Sequence, residues 1–488
     1  MSCRTQQDTA KRKDQQQLPV RPAVRNDKLF LRMFTSIIQP GTWFEKKEFH
    51  GNIEWCPEEV VIQSIVCSWQ EAKNVTDAFD QSLEICTDLK LKGTIKHYNG
   101  LMNALTRYQK VFHNRLRDRL EMLTEEVAGE RRRTDGWLLL GFDGSRISAP
   151  RTQSNEKAFC APNYGKGKEA KYGRKKSKGM RRNRNIENPP QPPKPQVWVT
   201  MVFDMSCRIP LRWKLGPSNA SERDHVKAML AEKKFPEKTL FCGDAGFVGY
   251  PLWSAILKAG QNFLVRVGAN VELLSEHADV KRCGGGKVLC WPKGQMNSGE
   301  PPLTLWLVKV TVGKTEMWML TSVRNLSKKK IVRYYKMRWG IEVEFRSLKQ
   351  TLDKHVLRCR DSERLLAELD WAIFAMALAE LIALRQQLDN AAECGTNDVY
   401  DPKDRSLANT MRALRKCMRQ LHKYPEPDDD LLRWLSRAVV QRYNNRTNKQ
   451  ARYRPKNPDK KPLGDPNVRP LSPEQRQKLQ QMQQKRAA

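Results

Sequence analysis

Tyr335-Lys336-Met337-Arg338-Trp339-Gly340-Ile341-Glu342 runs without a proline into Phe345-Arg346-Ser347-Leu348-Lys349. The apolar residues Ile341, Phe345, Leu348 and Leu352 recur at helical spacing, which predicts one helix with a buried stripe. At about 100° per residue, Tyr335, Arg338, Glu342 and Lys349 fall within roughly 60° of one another, beside that stripe. A carboxylate in such a row can hold a metal, and two cations and a phenol can hold phosphates. The plainer alternative is a solvated face, because Arg338–Glu342 and Glu342–Arg346 are both i,i+4 pairs.

Two stretches upstream favour chemistry. Trp137-Leu138-Leu139-Leu140-Gly141-Phe142-Asp143-Gly144 and Thr239-Leu240-Phe241-Cys242-Gly243-Asp244-Ala245-Gly246 are apolar runs that each end in an aspartate. Both read as short buried strands stopped by glycine. The spacing Y-x2-R-x3-E-x6-K over Tyr335, Arg338, Glu342 and Lys349 resembles the signature of DDE transposases of the insertion-sequence-four kind, the cut-and-paste elements of bacteria. Asp143-Gly144-Ser145 resembles that family's first catalytic aspartate, and Gly243-Asp244-Ala245-Gly246-Phe247 its second. The resemblance covers roughly residues 135–385.

The resemblance implies an RNase-H-like catalytic domain in which Asp143, Asp244 and Glu342 hold two Mg2+ ions, with Mn2+ able to substitute. Asp143 would be shared by both ions. Oxygen-only donors suit Mg2+, which needs neither histidine nor cysteine. Arg338, Lys349 and Tyr335 would contact DNA phosphates, with Arg346 on the same helix. The implied reaction is excision and strand transfer on double-stranded DNA, between the element's terminal inverted repeats and a target, by a homodimer assembled on DNA. The alternatives are an RNase-H-like nuclease without strand transfer, and a domesticated copy that only binds DNA.

Bulk composition agrees with a polyanionic partner. The 488 residues carry 88 Lys+Arg against 54 Asp+Glu, a formal net charge of +34. A basic scaffold protein would share that charge. The twelve cysteines form no C-x-x-C pair and no zinc-spaced cluster, which predicts reduced thiols. No apolar run reaches the roughly 18 residues of a membrane span, and no signal-peptide pattern opens the chain, so a cytoplasmic, nucleoid-associated protein is expected.

In chain order, residues 1–28 read as a disordered basic tail. Residues 29–130 read as an all-helical, DNA-contacting domain, with helices from Pro57, from Val75 to Leu89, and from Thr94 to Ala128. The catalytic core is expected over 135–268 and 324–390. Strands are expected at 137–143, 197–204, 209–215, 239–244 and 262–267, and a helix capped by Ser221 follows the third. By itself this order supports a mixed α/β sheet. Asp204 and Asp224 are rival acids, explained by a hairpin end and a helix first turn. His225 is read as structural. A β-rich insertion is expected over 269–323, where Trp291, Trp306 and Trp318 are candidates for the base-stabilising tryptophan found in some similar transposases. Residues 391–488 read as a helical, basic C-terminal region.

The most biased segment is a basic loop, 151–196. Residues 164–185 hold ten Lys or Arg, among them Lys175, Lys176, Arg181 and Arg182, and one acid, Glu169. Such a segment suits contact with the phosphate backbone without reading sequence. Deleting 164–185 should weaken DNA binding equally across sequences and flatten the slope of log affinity against log salt. An unchanged slope would make the loop a spacer.

Overall fold

The computed structural model describes residues 24–37, 43–160, 194–277, 279–313, 315–393, 401, 404–426, 429–440 and 463–487. The calls on the 1–23 tail and on Lys175, Lys176, Arg181 and Arg182 lie outside these residues. The leading helices are α1 (Asn26–Ile37), α2 (Pro57–Trp69), α3 (Val75–Asp88), α4 (Tyr98–Arg107) and α5 (Gln109–Ala128). Then come β1 (Arg133–Thr134), β2 (Trp137–Ser148), α6 (Gln153–Phe159), β3 (Gln196–Asp204), β4 (Ile209–Gly216), α7 (Glu222–Glu232) and β5 (Thr239–Gly243). They are followed by α8 (Tyr250–Lys258), β6 (Asn262–Val267), β7 (Glu272–Ser275), β8 (Gly285–Cys290), α9 (Lys293–Asn297), β9 (Leu303–Val312) and β10 (Thr315–Thr321). The chain continues through α10 (Lys328–Met337), α11 (Gly340–Gln350), α12 (Ser362–Glu393), α13 (Leu407–Met418), α14 (Leu431–Ser436), β11 (Asn467–Pro470) and α15 (Pro473–Ala487).

Two compact units result, and they group the chain differently from the sequence reading. One joins residues up to Leu101 and 126–128 with Ala375–Arg442; the other joins Met102–Glu125, Gly129–Phe374 and Tyr443–Ala488. In the first, Phe34 packs its ring against Trp69 at 5.6 Å between centroids. The Trp69 indole donates to Ala375 O at 3.0 Å, and Arg415 Nε donates to Trp69 O at 2.7 Å. The N-terminal helices and residues beyond Ala375 therefore share one core, which sequence separation conceals. The predicted helix 94–128 is two helices, because Tyr108 leaves helical geometry at ψ 17°.

The second unit is mixed α/β around an 11-stranded sheet in the order β11-β7-β8-β9-β10-β6-β5-β2-β3-β4, with β1 on β2. β2, β5 and β6 are parallel; β3 and β4 add to β2 as antiparallel neighbours. Leu138 to Phe142 are all buried, and so is every residue of β5. Central strands covered on both faces need such unbroken apolar runs. The residues expected as an insertion, 269–323, continue this same sheet, since β10 pairs antiparallel with β6.

The chain enters β2 through a hairpin. Asp135 and Gly136 both have positive φ, 53° and 82°, and Thr134 pairs with Trp137. Asp-Gly is the favoured sequence for this two-residue turn. Tyr334, fully buried in α10, donates its hydroxyl to Asp135 at 2.7 Å, tying that helix to the start of β2. Among the described residues no helix is long and apolar enough to cross a membrane.

Asp204 is structural. It is fully buried, takes Arg132 Nε at 2.9 Å, and accepts from Ser206 N at 3.0 Å and Cys207 N at 2.9 Å in the β3–β4 turn. Asp204→Ala should cost about 3–5 kcal/mol, because it strands a buried guanidinium charge and two turn amides. The midpoint of chemical denaturation reads it.

Candidate active site

Parallel pairing of β2 with β5 sets Gly141 opposite Cys242. Two residues on, the same register brings Asp143 beside Asp244, at strands about 4.8 Å apart. Asp244 lies just past the end of β5, where its Oδ1 accepts from Gly246 N at 2.8 Å. Asp143 Oδ1 accepts from Gly144 N at 2.8 Å. Gly243 is needed for contact: a Cβ there would lie 2.4 Å from Phe142 Cε2 and 3.1 Å from Phe247 Cβ, both on fully buried side chains.

The single helix predicted over Tyr335–Lys349 is two. α10 ends at Met337 and α11 begins at Gly340. Across the break the backbone bonds shorten to i,i−3, with Trp339 N to Lys336 O, Ile341 N to Arg338 O and Glu342 N to Trp339 O. Gly340 sits where a Cβ would be 3.0 Å from the Phe203 ring, so close packing on β3 accompanies the break. The break places Glu342 in the first turn of α11, where the helix dipole favours an anion.

Arg338 links the pieces. Its Nη2 donates to Glu342 Oε1 at 2.9 Å and its Nη1 reaches Asp143 Oδ2 at 3.4 Å. Its side chain is 9% exposed and lies 5.6 Å from the Tyr335 ring centroid. The solvated-face alternative therefore fails for Arg338. Lys349 Nζ donates to Ser145 Oγ at 2.8 Å, two residues past Asp143, and burial lowers its pKa. Arg346 is exposed and turned away from these contacts. The structure thus brings Asp143, Asp244, Glu342, Arg338, Tyr335 and Lys349 to one end of β2.

A fourth carboxylate joins them that sequence reading missed. Glu222, the first residue of α7, lies against Gly144 and Gly246. Ser-Glu-Arg-Asp at 221–224 was read as a helix start only, and capping does occur: Ser221 Oγ accepts from Asp224 N at 3.3 Å. Burial, then the charges of Asp143 and Asp244, raise the Glu222 pKa to about 7. Burial likewise raises Asp143 to about 6, with Asp244 and Glu342 adding to it and the Gly144 amide and Arg338 opposing. Burial works against the Arg338 charge, but Glu342, Tyr335 and Asp143 outweigh it and raise the pKa.

Among the described residues, no three Asp, Glu, His or Cys side chains converge closely enough to enclose a metal ion. A guanidinium stands between Asp143 and Glu342 instead. The donor set nonetheless fits a hard divalent cation, being carboxylate oxygens crowded at one strand end with too few cations to balance them.

The rival residues have other work. Asp224 pairs with Lys227 at 2.7 Å, and His225 Nδ1 meets Thr200 Oγ1 at 2.9 Å. Trp291 and Trp318 are buried, bonded to Glu300 O at 2.8 Å and Asp465 Oδ1 at 2.9 Å. Trp306 is half-buried on β9. Trp339, not singled out from the sequence, is 57% exposed in the turn between α10 and α11.

Residues 139–378, just under half the chain, match the family model described as the transposase DDE domain. The match takes in Asp143, Asp244 and Glu342. No curated protein matches the sequence. Among solved structures, piggyBac transposase in a synaptic complex with hairpin DNA is similar at 12% identity, over 87% of this chain and 87% of that chain, with a TM-score of 0.37. A score that low does not establish a shared fold.

Gly243→Ala should destabilise the protein by about 1–3 kcal/mol, the cost of overpacking a filled core. The denaturation midpoint measures it; no change would mean the Phe142 and Phe247 rings can move aside.

Proposed function

We propose that this protein is a DNA transposase of the insertion-sequence-four kind, acting by cut-and-paste excision and strand transfer with two Mg2+ ions. The observation that carries this reading is the meeting of Asp143, Asp244 and Glu342 at one end of β2, inside the stretch that matches the DDE domain. The order β4-β3-β2-β5-β6, three antiparallel strands followed by two parallel ones, supports an RNase-H-like core. The net charge of +34 supports duplex DNA as the substrate. Joining two element ends to one target calls for a dimer on DNA.

In this reading Asp143, which neighbours both other acids, is shared between the metal positions, and Asp244 and Glu342 each complete one. When bound, the ions supply an activated oxygen nucleophile and neutralise charge on the phosphoryl group and the leaving 3′-oxygen. Arg338 fixes the orientation of Asp143 and Glu342 through its two nitrogens and offers its fork to a phosphate beside the cut. Lys349, aligned by Ser145, and Tyr335 hold further phosphate oxygens. Arg346, exposed on α11, and the 164–185 loop extend the contact along the duplex.

The test is cleavage and joining of a labelled duplex carrying the element's terminal repeat, in Mg2+ or EDTA. Metal-dependent nicking with joined product is expected. Asp143→Ala and Glu342→Gln should each lower cleavage by more than about 100-fold, beyond the loss seen for an outer-shell partner of a metal, while duplex binding persists. Nicking without joining would make the protein a nuclease; binding without cleavage would make it a DNA-binding protein; cleavage by Asp143→Ala would move the active site elsewhere.

A further inference from the structure

Glu222 has no part in the reaction as described above, yet its carboxylate is held in the site. A Cβ on Gly144 would lie 2.2 Å from Glu222 Oε1 and 2.8 Å from its Cδ. A Cβ on Gly246 would lie 3.8 Å from Glu222 Oε2 and 3.0 Å from Asp244 Oδ1, so both carboxylates flank that one point. Successive residues of a strand face opposite sides. On the side of Gly141 and Asp143 stands Arg338, whose Cγ is 3.9 Å from a Gly141 Cβ; on the side of Gly144 stands Glu222. Asp143 is thus bracketed by Glu342 from α11 and by Glu222 from α7.

No cation among the described residues answers Glu222. It has no hydrogen bond or ion pair there. The two nearest positive groups are committed elsewhere: the Arg223 guanidinium donates to Val248 O at 3.0 Å, and that of Arg146 lies over the Trp198 ring at 4.5 Å. The helix does not need Glu222 for its start either, since Ser221 caps it and Asp224 already supplies an acid in the first turn. A half-buried carboxylate left unpaired beside two aspartates is costly unless a cation joins it.

We propose that Glu222 is a fourth oxygen ligand of the metal centre, holding the ion on the Asp244 side, and that Gly144 and Gly246 are glycines because a side chain would take the space of its carboxylate. This rests on the transposase reading of the site and concerns only which groups hold the metal.

Mn2+ binding to the full chain without DNA tests it, by electron paramagnetic resonance and by the Mn2+-induced rise in Tm. Wild type is expected to bind Mn2+, and Glu222→Gln to bind it about tenfold or more weakly, the scale of losing a metal's supporting ligand. Asp224→Asn, one helix position away from the site, should bind as wild type. Gly144→Ala should reproduce the Glu222→Gln loss by displacing the carboxylate, and the double variant should bind no worse than either single one. Without metal, Glu222→Gln should melt no lower than wild type, since it removes repulsion. Wild-type Mn2+ affinity in Glu222→Gln, with binding lost in Asp143→Asn, would overturn the role of Glu222 and leave the transposase site standing. No Mn2+ binding by wild type would overturn both.

Discussion

The contact on which the site depends is the Arg338 guanidinium between Asp143 and Glu342. Parallel pairing of β2 with β5 forces Asp143 and Asp244 together, and the first turn of α11 adds Glu342. Carboxylates at that separation repel, and burial sharpens the repulsion by lowering the local dielectric. Arg338 is the one residue that touches two of them at once among the described residues. Its position at the break between α10 and α11 lets it reach both, one through a bond across the turn and the other across to the sheet.

The rest of the unit serves that arrangement. The Asp135-Gly136 hairpin starts β2 in register, and the Tyr334 hydroxyl anchors α10 to the same turn, so helix and strand are positioned from one point. Glycines then admit what side chains would exclude: the Phe142 ring at Gly243, the Phe203 ring at Gly340 and the Glu222 carboxylate at Gly144. The ends of central parallel strands are where open α/β sheets place ligands, because chain crossovers leave a crevice there. Both aspartates sit at such ends.

What the sequence revealed and what it hid follow from the range of the interactions. The strands ending at Asp143 and Asp244 were legible because burial on both faces demands unbroken apolar runs, and the cluster of Tyr335, Arg338, Glu342 and Lys349 was legible because helical period survives a short break. The break itself was not, since its cause is the approach of Gly340 to Phe203, more than a hundred positions away in the chain. The pairing of β10 with β6 and the packing of Trp69 near Ala375 are likewise set by distant partners. Glu222 was passed over for a different reason: an acid in a first helical turn already has a sufficient local explanation. Only the glycines opposite it, at 144 and 246, carried the signal, and nothing in the sequence says which side chain a glycine makes room for.

The Arg338 bridge also constrains how such a site can work. A divalent ion held by Asp143 and Glu342 needs oxygen lone pairs that now accept from the guanidinium, so metal binding between those two acids requires Arg338 to yield at least one contact. The yielded nitrogen remains beside the acids, because Tyr335 and the backbone of the turn hold the side chain, and it remains charged, because a guanidinium does not lose its proton in a protein. A planar cation freed at one edge matches the oxygens of a phosphate better than it matches any other neighbour in the site. Metal entry and phosphate capture are then linked through one side chain, and linkage of this kind is reciprocal: a phosphate that draws Arg338 away opens the carboxylates to the ion by the same factor. The guanidinium keeps the acids together when no ion is bound and faces the substrate when one is, which explains why an arginine at this position is more useful than a second lysine.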